Sequence, residues 1–393
     1  MAGDREFDII VYGATGYTGR LVAEYLAQQY AGAATPTWAM AGRSADKLAS
    51  VRDEIGAPAN TPLVVADVGD PASIDAMAKR AKVILTTVGP YQLYGEPVVA
   101  ACAANGADYV DLSGEVAFMY DMIAKYDAQA KETGARIVHS GGFDSIPFDM
   151  GVYFLQQHAI AKLGAPLPRI RGRVRSMNGT FSGGTFASGA ATMAAVAKNP
   201  ELLNVLRNPF ALADGFEGPE QPHGMAAMEE PDLGWVGPFV MATINTRNIH
   251  RSNKLMDHIY GADFVYDEMM CTGPGEKGQK IAEGLAKAGG GFGDVKDPPK
   301  PGEGPSKEER EAGNYDVVFI GEAADGTVLK AAVTGDKDPG YGSTSKIIAE
   351  AAMCLIEDVA DKPGGVLTPA PIFGDAIIKR LRERAGLTFE LES

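Results

Sequence analysis

The sequence predicts an α/β protein: a doubly wound parallel sheet, then a second α+β domain built on a mixed or antiparallel sheet. Three observations carry this expectation. From Phe7 to His139 short apolar runs alternate with amphipathic stretches, the pattern of repeated βαβ units. Beyond Pro147 the alternation gives way to strand-like runs with fewer helices between them, as in a mixed or antiparallel sheet. A set of spaced glycines directly follows the first run, where a parallel sheet carries its ligand-binding turn.

In chain order, the parallel strands are expected at residues 7–12, 37–41, 63–66, 83–88, 108–110 and 136–139. Between the first two lies a helix over residues 20–29, with Leu21, Val22, Tyr25 and Leu26 on one face. Asp70 followed by Pro71 has the residue types of an N-cap and a first helical position. Further strands are expected at 170–176, 239–245, 264–271, 316–322 and 328–333, with a Gly/Ser-rich stretch over 178–188. Residues 288–313, rich in Gly, Pro and charge, are expected to form an exposed, mobile loop. Helices over 343–360 and 375–385 should pack back on the first domain. The expected domains are 1–150, 151–339 and 340–393.

Composition narrows the class of function. In 393 residues, 36 basic side chains face 51 acidic ones, for a net charge of −15. Such a field repels nucleic acid and anionic membrane surfaces. No run of 18 apolar residues occurs, so no transmembrane segment is expected. The charged start, Met1 to Glu6, is unlike a signal peptide, which places the chain in the cytoplasm. Cys102, Cys271 and Cys354 lie far apart and share no ligand spacing with the five histidines, so no metal site is expected.

The glycine motif is Gly13-Ala-Thr-Gly-Tyr-Thr-Gly19, at the end of the first strand and the start of the first helix. Its spacing is one residue wider at the first gap than the usual dinucleotide pattern. Gly13 permits the tight turn, Gly16 lets backbone approach a pyrophosphate, and Gly19 lets helix pack on sheet. The helix N-terminus offers free N–H groups to phosphates, with Thr15, Tyr17 and Thr18 beside them. This is a Rossmann-type dinucleotide site.

The end of the second strand indicates which dinucleotide. It reads Ala41-Gly-Arg-Ser44, with no acid for a ribose 2′-hydroxyl; Arg43 and Ser44 suit a 2′-phosphate, so NADP is expected. Asp67 follows the third strand, placed either for the adenine amino group or for capping. Gly89 and Pro90 end the fourth strand at the nicotinamide end. Of the fourteen tyrosines none has Lys four residues later, which excludes the short-chain dehydrogenase pair. Neither a nucleophile elbow nor a Walker loop is present.

Motifs along nearly the whole chain resemble the saccharopine dehydrogenase-like oxidoreductases, and within them the trans-acting enoyl reductase branch. Beyond the dinucleotide motifs these are Val88-Gly-Pro-Tyr91 with Gly95, Tyr109-Val-Asp-Leu-Ser-Gly-Glu115 and Gly142-Phe-Asp-Ser-Ile-Pro147 with Asp149. Later come Ser182-Gly-Gly-Thr185, Asn245-Thr-Arg-Asn-Ile-His-Arg-Ser252, Asp338-Pro-Gly-Tyr341 and Gly364-Gly-Val-Leu-Thr-Pro-Ala370. Phe148 stands where the family pattern has Ser, so that position receives no role.

The resemblance implies NADP-dependent reduction of a carbon–carbon double bond beside a thioester, in lipid or polyketide metabolism. The implied partners are an acyl or lipid-like substrate and a polyketide or fatty-acid synthase acting in trans, with homo-oligomerisation left open. The chemistry needs a proton for the α-carbon and donors for the thioester oxygen. Tyr91 is the first choice for a proton donor or orienting hydroxyl. Asp144 would shape the loop, and Ser145, the Gly141-Gly142 backbone and Gly183-Gly184-Thr185 are donor candidates. Asp144 and Ser145 could equally cap the helix at Pro147. His139 is expected to be structural. Arg247 and Arg251 suit either a substrate phosphate or carboxylate, or surface salt bridges. Two alternatives stand beside the enoyl reductase: imine reduction of an amino-acid adduct, and an NADP-binding regulator without turnover.

Overall fold

The computed structural model describes residues 5–393 apart from 181, 290–296, 298 and 301. Its first half is a βα alternation: β1 (Phe7–Tyr12), α1 (Tyr17–Gln29), β2 (Trp38–Gly42), α2 (Ala45–Glu54), β3 (Leu63–Val65) and α3 (Pro71–Arg80). There follow β4 (Ala81–Thr86), α4 (Tyr91–Tyr94), α5 (Glu96–Asn105), β5 (Asp108–Val110), α6 (Val116–Thr133), β6 (Arg136–Val138) and α7 (Ile146–Leu163). All six residues of β1 are buried, as a central strand covered on both faces requires. Ile9 and Val11 point into one layer of the core and Ile10 and Tyr12 into the other. Asp70 caps α3 by accepting from Ala72 N–H at 3.2 Å, with Pro71 in the first turn.

The second half contains β7 (Arg169–Asn178), α8 (Gly183–Lys198), α9 (Leu202–Arg207), β8 (Met228–Glu230), β9 (Gly234–Pro238) and α10 (Ala242–Leu255). It continues with β10 (Val265–Gly273), α11 (Gly275–Lys287), α12 (Lys307–Ala312), β11 (Asn314–Glu322) and β12 (Val328–Gly335). The chain ends through α13 (Thr344–Glu357), β13 (Gly365–Leu367), α14 (Pro369–Phe373), α15 (Asp375–Arg380) and β14 (Leu387–Glu392).

Two seven-stranded sheets result. The first runs β3-β2-β1-β4-β5-β6-β13 and is parallel throughout. Strand order reverses between β1 and β4, which opens the crevice where such sheets bind ligands. The second runs β14-β12-β11-β7-β10-β9-β8 and is mixed: β7 and β10 are parallel, the other pairs antiparallel. One apolar cluster runs unbroken from Ile9 and Val11 to Phe319 and Phe389, so a shared core joins the sheets.

Several local expectations need correction. The apolar run 239–245 is no strand, because backbone bonding from Met241 O to Asn245 N–H begins α10. That helix is buried on most of its surface, and burial overrides strand propensity. The Gly/Ser-rich stretch opens α8, whose alanines favour a helix once Gly183 has started it. Within 288–313, Ser306 and Glu309 form a capping box that starts α12; residues 290–296, 298 and 301 lie outside the described residues. At the C-terminus α13 packs on α1, β4 and β5, where Glu350 accepts from the Tyr25 and Tyr30 hydroxyls and pairs with Arg380. β13 extends the first sheet, but β14 departs from expectation and pairs with β12 in the second, where Leu387 and Phe389 are buried.

Candidate active site

The glycines divide three tasks among them. Gly13 has φ +93°, and a Cβ there would lie 2.8 Å from Val88 Cγ2. At Gly19 a Cβ would stand 2.2 Å from Gly13 O, so α1 could not reach the sheet with a side chain in that place. Gly16 is different: its φ of −80° suits any residue, and a Cβ would meet only Gly13 O at 3.2 Å. Among the described residues no side chain caps α1. Its first-turn N–H groups, with exposed Thr15 and half-buried Thr18 beside them, therefore fit a dinucleotide pyrophosphate. Tyr17 contributes its backbone rather than its hydroxyl. That hydroxyl donates to Pro305 O and accepts from Arg310 Nη1, and the ring stacks edge-on against Tyr341.

Beyond β2, Arg43 is exposed and pairs with no carboxylate among the described residues. Ser44 caps α2 by accepting from Lys47 N–H at 3.3 Å, which leaves its own O–H free for a phosphate oxygen. Asp67 accepts from Gly69 N–H through one oxygen and keeps the other free. Arg43→Asp should weaken NADPH binding by about ten- to a hundredfold, the worth of one charge-assisted hydrogen bond. NADH titrated in parallel should change far less; equal losses would assign Arg43 no 2′-phosphate contact.

A single cleft of about 1990 Å³ runs from this loop into the second sheet. Gly16, Tyr17, Thr18, Gly89, Pro90 and Tyr91 line its cofactor end. A Cβ at Gly89 would lie 3.7 Å from Ser188 Oγ, so the fourth-strand turn and α8 face each other closely. Glu115 fixes that turn by accepting from Tyr91 and Gln92 N–H at 2.9 and 2.8 Å.

Two candidates commit their hydroxyls to the protein's own groups. The Tyr91 hydroxyl donates to Thr86 O at 3.2 Å and accepts from Leu112 N–H at 3.1 Å, so it serves two backbone strands instead of a substrate. Tyr91→Phe should accordingly lower stability by roughly 1–3 kcal/mol, because the Leu112 N–H loses its acceptor. Denaturant unfolding would measure that, and a loss of turnover at unchanged stability would contradict it. Ser145 is fully buried: its Oγ donates to Asn245 Oδ1 at 3.0 Å and accepts from Asn248 Nδ2 at 2.6 Å. It ties the start of α7 to α10 and does not line the cleft.

Asp144, between them in sequence, does line it. Burial, reinforced by the field of Asp111, pushes its carboxyl up to about 7. Asp111 itself is enclosed, accepting from the Tyr109 hydroxyl and bonded to His139 Nδ1 at 2.8 Å each. His139 thus belongs to a buried structural network.

The facing wall comes from α8 and the turn before α13. Gly183 N–H donates to Glu303 O, and a Cβ there would lie 2.1 Å from Lys300 O, so Gly183 meets Lys300 and Glu303 instead of the cleft. Gly184 and Thr185 do line the cleft. Sequence reasoning gave Tyr341 no role, yet its hydroxyl accepts from Ser182 N–H and bonds Thr185 Oγ1 at 2.9 Å. Asp338 sets Tyr341 in place by accepting from its N–H at 2.8 Å and from Gly342 N–H at 2.9 Å. Glu268, also in the cleft, is pushed up to about 8 by burial while accepting from Asn245 and the Tyr266 hydroxyl. Among the described residues Arg247 and Arg251 form no surface salt bridges: both are buried, with backbone carbonyls as their principal partners.

A doubly wound sheet with an uncapped glycine turn, opening on a cleft with a near-neutral carboxyl, defines a dinucleotide-dependent oxidoreductase. The sequence profile of the saccharopine dehydrogenase NADP-binding domain matches residues 9–138, so the first sheet carries an NADP-binding domain. A trans-acting enoyl reductase of Mycobacterium ulcerans is 38% identical, covering 97% of this chain and 96% of its own. A Mycobacterium tuberculosis protein provisionally assigned the same name is 41% identical, over 97% and 96%. The chain belongs to the trans-acting enoyl reductase family of saccharopine dehydrogenase-like oxidoreductases. Its fold is shared with apo saccharopine dehydrogenase (L-Glu forming) of Saccharomyces cerevisiae (TM-score 0.57, 13% identity, 98% and 100% covered). The homospermidine synthase of Legionella pneumophila, solved with NAD, shares it too (TM-score 0.57, 9% identity, 98% and 91% covered).

Proposed function

We propose that this protein is an NADPH-dependent enoyl reductase, saturating a carbon–carbon double bond beside the thioester of a lipid-like acyl chain. One observation carries the proposal: a single cleft joins the uncapped turn of α1, the Asp144 carboxyl and an apolar wall. That wall includes Ala187, Ala190, Ala191, Met193, Leu206 and Phe210. The cleft exceeds the roughly 300–1,000 Å³ of an ordinary ligand pocket, leaving room for an acyl chain beyond a cofactor.

NADPH, when bound, supplies the hydride for the β-carbon. Asp144 holds a proton near neutral pH and passes it from its carboxyl O–H to the α-carbon; the resulting carboxylate regains a proton from water. Tyr341 and Thr185 share one hydroxyl–hydroxyl bond, so one proton of that pair stays free to donate to the thioester oxygen. Five carboxyl groups line the cleft (Glu115, Asp144, Glu220, Asp267 and Glu268) against two arginines, Arg207 and Arg247. That balance disfavours an amino-acid adduct bearing several carboxylates. A carboxyl in the cleft that is pushed up to about 7 likewise favours turnover over a regulatory role.

The acyl chain would be presented in trans by a polyketide or fatty-acid synthase, in cytoplasmic lipid metabolism. In the described residues no helix is long and apolar enough to cross a membrane. NADPH absorbance, followed with trans-2-enoyl thioesters of increasing chain length, tests the proposal. Oxidation that speeds up with chain length is expected; no oxidation at any length would overturn it.

A further inference from the structure

Five arginines are buried among the described residues: Arg136, Arg173, Arg247, Arg251 and Arg380. Three have carboxylate partners within ion-pair distance: Asp108 for Arg136, Glu230 and Asp267 for Arg173, and Glu350 with Glu357 and Asp358 for Arg380. Arg251 lacks a direct pair but feels the fields of Asp127 and Asp214. Among the described residues Arg247 alone has neither. Burial lowers it to about 10. A buried cation without compensating charge is costly to hold, and this one lines the cleft.

Its immediate partners are neutral. Nη1 donates to Thr243 O at 2.6 Å and Nη2 to Leu206 O, while Nε has no partner among the described residues. The residue after Leu206 is Arg207, exposed, lining the same cleft and likewise without an ion pair among the described residues. The carbonyl that holds one guanidinium thus sits next in sequence to the other. These two are the arginines among the cleft's described lining residues, beside the apolar Leu206 and Phe210.

If the substrate is an acyl thioester, as proposed above, its chain is neutral and its charge lies in the arm that carries the thioester. We propose that Arg207 and Arg247 in the cleft bind the phosphate of that arm, a phosphopantetheine-type group borne by coenzyme A or by a carrier protein. Guanidinium forks match phosphate oxygens in geometry and charge. The ligand supplies the negative charge that the fold withholds from Arg247. Held there, the arm would lay its thioester along the cleft toward Thr185, Tyr341 and Asp144.

Calorimetric titration with 4′-phosphopantetheine and with phosphate-free pantetheine tests the site without turnover. The wild-type protein should prefer the phosphorylated probe by about tenfold or more. Arg247→Gln should abolish most of that preference, Arg247→Lys should retain part of it, and Arg207→Ala, a surface change, should reduce it even if Arg247→Gln fails to fold. In a second arm, kcat/KM is compared for enoyl esters of coenzyme A, of a carrier protein and of N-acetylcysteamine. A variant-specific fall for both phosphate-bearing esters relative to the third, seen mainly in KM, supports the shared phosphate; a fall for the carrier ester alone assigns the arm to a carrier protein. Equal affinity of the wild type for both probes, or an unchanged preference in both Arg207→Ala and a folded Arg247→Gln, overturns the proposal. Phosphate-dependent binding without NADPH oxidation on any thioester would instead overturn the reductase assignment and leave this site standing.

Discussion

Gly16→Val should abolish NADPH binding and leave the protein folded. The expectation rests on the difference between Gly16 and Gly19. Gly16 already has extended backbone angles that valine adopts readily, and its added Cβ would meet one carbonyl at 3.2 Å. The remaining branches would point over the uncapped first turn of α1, into the space a pyrophosphate needs. Gly19→Val, by contrast, would drive a Cβ to 2.2 Å from Gly13 O and separate α1 from the sheet. The pair should therefore split two readouts. Fluorescence titration should show NADPH binding lost in Gly16→Val with a thermal midpoint near wild type, whereas Gly19→Val should lower the midpoint. A folded Gly16→Val protein that titrates normally would remove the dinucleotide site from this turn.

The steric roles of Gly13 and Gly19 were legible in the sequence, because the turn is local: seven residues after a buried strand set their own geometry. The parallel sheet was legible for the same reason, each strand being a short apolar run between amphipathic helices. What escaped depended on distant partners. Nothing near Tyr91 in sequence shows that Leu112 N–H, 21 residues on, will claim its hydroxyl. Tyr341 carries a cleft hydroxyl because Asp338 turns it and Ser182 and Thr185, some 160 residues earlier, meet it. Its motif, Asp338-Pro-Gly-Tyr341, was visible, yet the pairing was not. Asp149, Ser252 and Ala370 show the reverse case. They sit in three separate motifs, and the structure gathers them at one buried carboxyl that accepts at 2.7 and 2.8 Å. Motif density there reflects how α7, α10 and α14 lock together, away from the cleft.

Asp144→Asn should lower turnover by roughly 10²–10⁴-fold, the usual worth of a positioned general acid. NADPH affinity should hold, since Asp144 stands on the turn before α7 and the groups proposed to bind the cofactor's phosphates stand on α1. The pH dependence makes the test specific. With its carboxyl pushed up to about 7, Asp144 is mostly protonated below that value and mostly ionised above it. A proton donor works only in the protonated form, so wild-type kcat/KM should fall as pH rises through about 7. An amide neither titrates nor donates a transferable proton, so the residual rate of Asp144→Asn should lose that limb. The shift has a physical source that can be probed separately. Burial dominates it and the field of Asp111 adds to it, so weakening that field should move the limb toward lower pH. Asp111 also accepts from Tyr109, Ser113 and Ser140, however, and its replacement would disturb the buried network. The Asp144 substitution is therefore the cleaner experiment. Turnover within about tenfold of wild type, or an Asp144→Asn profile that keeps the limb near 7, would show that the proton comes from another group. Glu268, pushed up to about 8 in the same cleft, would be the next to replace.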